Sequence, residues 1–299
     1  MRRLLLATGL SLAALLSARA ASAQACCVGS SGLTPGWLGN HERWLVGAQL
    51  RLAATHGSYP ARGEFYRPTN ERDARIEPSL FATVRVLPRA QLGVFAPLDV
   101  VRRRSGARVE TRTAPGDVSL AARYDFIRAG ELRIPGLAVL AGLSMPTGVP
   151  SDRGAPLLAA DVTGIGTWEA SAGLSVEQVF RRVVLHGTAL VGLRAPREVL
   201  GFEQALGPRA LYLVAAGYVF DGDVSLFGSL THSSDGDATV GGELAHGTGF
   251  RTTQAALLAV VPLSDTVRLR TSAFTDVPPL GDNRPALAGT SISLLKSWL

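Results

Sequence analysis

Cysteine is almost missing from this 299-residue chain: Cys26 and Cys27 are the two it has, and they are adjacent. Neighbouring thiols cannot staple a small disulfide scaffold, and two are too few for a structural zinc site. Lysine is rarer still, with Lys296 alone. The remaining cations are arginines scattered among acids, so no basic stripe marks a nucleic-acid partner. No apolar run reaches the ~20 residues that a spanning helix needs. Phosphate loops, dinucleotide fingerprints and a nucleophile elbow are also absent, and no cofactor is implied.

The first residues read as an address rather than as fold. Arg2 and Arg3 precede the apolar stretch Leu4 to Leu16, and Ala21-Ser22-Ala23 supplies a small-x-small cleavage site. That order is a secretory signal peptide over residues 1–23. Once Arg2, Arg3 and Arg19 leave with it, 27 basic and 24 acidic groups remain, about +3 in place of the formal +6. Ala23-Gln24-Ala25-Cys26 also resembles a lipobox, which makes acylation of Cys26 an alternative to a Cys26–Cys27 pairing or a bond to another protein. Residues 24–41 are rich in Gly, Ser and Pro, as expected of a periplasmic N-terminal tail or a segment that plugs a barrel.

From residue 42 to 299 the chain alternates. Trp44, Val46, Ala48, Leu50 and Leu52 fall on one face, with Gln49 and Arg51 on the other. Period-two patterning is what a strand with one apolar and one polar face must show. It recurs near 72–87, 90–101, 117–128, 136–146, 165–180, 183–195, 208–220, 223–233, 249–263, 266–276 and 287–299. The connections alternate too. Pro88-Arg89, Ala129 to Ile134, Arg181-Arg182, Asp221-Gly222-Asp223 and Ser264-Asp265-Thr266 are short turns; 56–72, 102–116, 147–164, 196–208, 234–248 and 277–286 are long polar loops. This is the pattern of an all-β, up-and-down antiparallel transmembrane barrel of about twelve strands, with short periplasmic turns and long outer loops. The expected location is the cell outer membrane.

Two further features fit. Trp44, Tyr124, Trp168, Tyr212, Tyr218, Phe220 and Trp298 lie near strand ends, where aromatic girdles belong. The final strand closes on Trp298-Leu299 and resembles a C-terminal outer-membrane assembly signal, with Leu299 where a terminal Phe is usual. The barrel-assembly machinery, outer-membrane lipids and lipopolysaccharide are therefore expected partners. Arg102-Arg103-Arg104 reads as a solvated loop run or as a contact with an anionic surface. Oligomeric state is not encoded in any visible pattern.

Across the middle of the chain, Gly116-Asp117 opens an alternating strand, Pro146-Thr147-Gly148 ends the next, and Gly164-Ile165-Gly166-Thr167-Trp168 enters a third. Over roughly residues 72–200 this order resembles the outer-membrane family linked to meta-pathway phenol degradation. The resemblance implies a transporter-like barrel that passes small hydrophobic or aromatic solutes, and it carries no binding residues.

Ionisable groups on the inward phase are the candidate lumen lining: Glu77, Arg85, Arg123, Asp125, Glu169, Glu177, His186, Arg268 and Arg270. They line a conducting pore or pair with one another across a narrow interior. His232 and Ser234 offer a second chemistry. Two apart on a strand, they share the lipid-side phase of Leu226 and Leu230, and they resemble the His-x-Ser pair of outer-membrane lipid hydrolases. Glu243 and Gln254 are the stand-ins for an orienting third group. Asp235 and Asp237 faintly suggest calcium without a bidentate Glu at the right spacing. His41, His56 and His246 are scattered and read as solvated. The functional expectation is a passive channel or transporter-like barrel. A lipid hydrolase and a non-conducting interaction barrel are the alternatives.

Overall fold

A computed structural model describes residues 33–59, 64–67, 71–130, 134–155, 157–278 and 280–299. Among these, seventeen strands follow in order: β1 (Trp44–Tyr59), β2 (Glu71–Leu87), β3 (Ala90–Ser105), β4 (Arg108–Pro115), β5 (Val118–Ile127), β6 (Gly136–Met145), β7 (Glu169–Phe180), β8 (Val183–Arg194) and β9 (Arg197–Val199). Then come β10 (Phe202–Ala205), β11 (Arg209–Val219), β12 (Ser225–Asp235), β13 (Ala238–Val240), β14 (Glu243–Ala245), β15 (Phe250–Pro262), β16 (Val267–Asp276) and β17 (Arg284–Trp298).

Twelve of them close a barrel in which every neighbour is antiparallel. The seam joins first strand to last, with Trp44 opposite Trp298 and Leu52 opposite Thr290. Closure leaves no row of backbone amides without a partner, which is the condition for a sheet to sit in hydrocarbon. Period-two alternation survives into three dimensions. Leu80, Leu193 and Leu257 point outward and are 66%, 65% and 63% exposed, while their strand neighbours Phe81, Gly192 and Leu258 face inward. An apolar surface that encircles the molecule far exceeds the few hundred Å² a water-soluble protein exposes. On the turn side it ends in half-exposed aromatics. These include Trp44, Trp298 and the edge-to-face pairs Tyr124–Phe126 and Tyr218–Phe220, with ring centroids 5.1 and 4.9 Å apart.

The short turns close on one side as expected. Leu87 pairs with Ala90 around Pro88-Arg89, and Phe180 pairs with Val183 around Arg181, whose φ is +54°. Three of the long connections differ from the loops expected there. Residues 102–115 continue the ladder as a projecting β3–β4 hairpin, and the connections around 196–208 and 234–248 supply β9, β10, β13 and β14, a separate four-stranded sheet. Local alternation in these stretches is too short to signal strand; local hairpin pairing forms them, and β10 pairing with β13 joins the two distant loops.

The Gly116-Asp117, Pro146-Thr147-Gly148 and Gly164-Ile165 motifs meet in space where β4 ends and β5 begins. Asp117 accepts the Gly148 N–H through one carboxylate oxygen and the Ile165 N–H through the other, each at 2.8 Å. Thr147 Oγ1 donates to the Gly116 carbonyl (2.8 Å) and accepts from Val118 N–H (2.9 Å). A Cβ on Gly148 would lie 2.7 Å from Gly164 Cα, so neither backbone tolerates a side chain at the crossing. The motif therefore folds the 146–168 connection across the loop-side rim. Glu110 completes the fastening by accepting the Leu158 N–H at 2.8 Å, and Arg103 donates to the Leu158 carbonyl at 3.0 Å.

Candidate functional site

The inner wall places all nine predicted lumen residues on the inward face, and it resolves most of them into partners. Glu77 lies 3.7 Å from Arg51, Arg123 is 2.8 Å from Asp125, and Glu177 is 3.7 Å from His186, whose other ring nitrogen sits 2.9 Å from Thr188 Oγ1. Glu169 is held by Arg194 at 2.7 Å. Buried charges keep this geometry only when they are paired and hydrogen-bonded.

The other three, Arg85, Arg268 and Arg270, meet the N-terminal segment. Residues 33–42, within the stretch read as a periplasmic tail or a plug, lie inside the barrel and descend through it toward the turn side. Leu33 reaches the wall at Gly142, where an added Cβ would sit 2.5 Å from its side chain. Trp37 is 2% exposed and belongs to an apolar cluster of inward residues that includes Leu140, Val184, Leu190, Leu213, Phe227 and Val260. Leu38 joins a second cluster with Leu45, Phe81 and Leu295.

Polar groups then fix the backbone of the segment. Leu38 N–H donates to Gln91 Oε1 at 2.8 Å, and Gln91 Nε2 donates to the Leu38 carbonyl at 3.3 Å. Thr83 Oγ1 donates to the Gly36 carbonyl (2.9 Å), and Arg270 donates to that of Pro35. Arg85 spans two carbonyls, Glu42 from Nε (2.9 Å) and Gly39 from Nη2 (2.6 Å). The Glu42 carboxylate pairs with Arg268 and accepts the Gly39 N–H at 2.7 Å. The arrangement satisfies backbone groups that no strand ladder reaches.

A second polar layer lies nearer the loop side, and sequence reasoning missed most of it. Arg194, with 5% of its side chain exposed, bridges Glu169 and Asp235 at 2.7 and 2.5 Å, and Arg209 lies 3.7 and 3.9 Å from the same two acids. Arg75 is 3.1 Å from Asp99, and the Arg51 guanidinium stands 4.4 Å over the Phe274 ring. Inward phase was the available signal for Arg51, Arg75, Asp99 and Arg194. Asp235 therefore serves an ion pair. Asp237 accepts the Gly249 N–H at 2.7 Å and fastens a loop. That N–H, followed by those of Gly247 and Thr248, holds its carboxyl below the usual carboxylate range. No group of three metal-ligating side chains occurs among the described residues.

His232 and Ser234 face outward, as their phase requires, but they are not hydrogen-bonded to each other. His232 Nδ1 is 2.9 Å from Thr253 Oγ1 on the neighbouring strand, and Ser234 stands opposite Arg251. Gln254 cannot orient the imidazole, because it faces the lumen and donates to Asp276 at 3.2 Å. Glu243 is exposed on β14 in the separate sheet. Cys26 lies outside the described residues.

No protein-family model matches the chain, and no curated protein matches it by sequence. Solved structures do share its fold. An outer membrane channel from Pseudomonas putida F1 superposes with a TM-score of 0.69 at 14% identity, covering 86% of this chain and 96% of that one. The translocator domain of the autotransporter NalP from Neisseria meningitidis gives a TM-score of 0.50 at 10% identity, with 91% and 93% covered. The fold is that of outer-membrane β-barrels.

Proposed function

We propose that this protein is a passive outer-membrane channel for small apolar solutes, and that its N-terminal segment restrains the passage. One observation carries the reading: beside its paired charges, the inner wall from β5 to β15 bears a cluster of inward apolar side chains where a water-filled pore would be polar. Leu140, Val184, Leu190, Leu213 and Phe227 form a lining on which a neutral aromatic molecule gains the same burial that Trp37 now gains. The resemblance of residues 72–200 to the family linked to meta-pathway phenol degradation points to the same solute class. The paired charges of the lumen supply no excess of one sign that would favour an ion.

The hydrolase reading finds less support, since the His232 ring is engaged by Thr253. The test is entry of N-phenyl-1-naphthylamine, a neutral aromatic probe, into cells making the protein, with a sulfonated naphthalene as charged control. Cells carrying the Trp37→Ala form should admit the neutral probe faster than cells without the barrel and leave the charged one unchanged. Equal entry in all cells would contradict the reading.

A further inference from the structure

On the outward face of the β2–β3 ladder, Arg72 stands directly opposite Arg104, and Arg102 stands opposite Ala74 on the next outward rung. Like charges in direct opposition destabilise a sheet. The inward face at the same level avoids this, because Asp73 opposes Arg103 and pairs with it at 3.6 Å. Outward, no such compensation exists among the described residues: Arg104 donates to the Gly106 carbonyl at 3.1 Å, and no carboxylate pairs with Arg72 or Arg102. The returning loop adds one more cation. Tyr66 exchanges backbone hydrogen bonds with Ser58 at 2.9 and 3.1 Å, which sets Arg67 beside His56. These groups bound a groove of about 580 Å³, whose lining also includes the already paired Asp73.

We infer that this groove binds the phosphate of a phosphorylated glycolipid in the surrounding leaflet. Guanidinium groups on adjacent rungs suit a phosphate, which accepts several charge-assisted hydrogen bonds at once. The membrane, rather than free phosphate, is the source because the arginines continue the outward rows that hold Ile76 and Leu80 on β2 and Leu98 on β3, all exposed. A lipid whose head enters the groove lays its acyl chains along those residues. The site rests on the loop side facing outward, as the channel reading does, but not on any conductance.

The test is native mass spectrometry of the full barrel in detergent, titrated with diphosphoryl lipid A, with its dephosphorylated form and with inorganic phosphate. One diphosphoryl lipid should bind per barrel, and Arg72→Gln/Arg102→Gln/Arg104→Gln should weaken it roughly a hundredfold. Arg251→Gln, which removes an outward arginine already paired with Asp282 at 3.0 Å, should leave it unchanged. Should the triple variant fail to fold, Arg102→Gln alone should weaken binding measurably. Undiminished binding to the folded variants, or equal binding of the dephosphorylated lipid, would overturn the site. Inorganic phosphate binding as tightly as the lipid would overturn its membrane source. Conductance measured on the same preparations separates a failed lipid site from a failed channel.

Discussion

Gln91 and Leu38 hold each other as two peptide groups would, the side-chain amide accepting at 2.8 Å and donating at 3.3 Å. A glutamine on the barrel wall thus acts as an added strand partner for a segment that has no ladder of its own. Gln91 is 3% exposed and Thr83, which holds the Gly36 carbonyl, is 1% exposed. Water therefore cannot replace either contact while the segment is seated.

Replacement of Gln91 by Ala should free the segment without harming the barrel. Both hydrogen bonds go, and two buried backbone groups lose their partners, at about 1–3 kcal/mol each. Cleavage of the N-terminal segment by added protease should accelerate, while the heat-dependent gel shift of the folded barrel stays unchanged.

Trp37→Ala should act more strongly, through packing. Truncating a buried Trp costs ~3–5 kcal/mol in a well-packed core. Here the loss falls on docking of the segment, because the strand ladders do not involve Trp37. Hydrogen exchange at Leu38 and Gly39 should rise by orders of magnitude, with little change in the amides of β7 and β8.

At the loop-side rim, Asp117→Ala should release the 146–168 connection. Two backbone N–H groups, on Gly148 and Ile165, lose their acceptor. Proteolytic nicking between 149 and 163 is expected in the variant and not in the parent, with barrel pairing between β5 and β6 retained.

Acid should loosen the connection held by Asp237. Its carboxyl sits below the ordinary range, chiefly because it accepts the Gly249 N–H. A depressed value in the folded state means that the contribution is present above the unfolded value and lost as pH falls through the folded one. Protection of the Gly249 amide, corrected for the intrinsic pH dependence of exchange, should hold from pH 7 downward and fall only below ~4. Asp237→Asn should lack that step.

Ser234→Ala should change nothing. The hydroxyl has no bond to His232, and its neighbour across the ladder is Arg251. Incubation of both forms with phospholipid vesicles should release equal, background amounts of fatty acid.

The barrel was legible because hydrocarbon on one side enforces a strict period: alternation alone put Trp44, Val46, Leu50 and Leu52 on one face, and all four are exposed on the outer wall. The same phase placed His232 and Ser234 on the outer wall and all nine ionisable candidates inside. What alternation lacks is partners. That Arg194 meets Asp235 depends on the register in which β8, β11 and β12 align, a relation between distant strands. Trp37 carried a weak signal, a large aromatic inside a Gly- and Pro-rich stretch, but no periodicity said which surface would bury it. The glycines of the Gly116-Asp117 and Pro146-Thr147-Gly148 motifs were visible as a pattern. Their purpose, a crossing of two backbones, was not, since it exists only once β4 has been broken from β5.

Single-channel recording in a planar bilayer, comparing the parent barrel with a form lacking residues 33–39, measures whether the N-terminal segment restrains a passage through the barrel. Rare or small steps are expected for the parent and frequent, larger ones for the deletion, because the segment seated against the inner wall is gone. Identical conductance in the two forms would contradict that restraint.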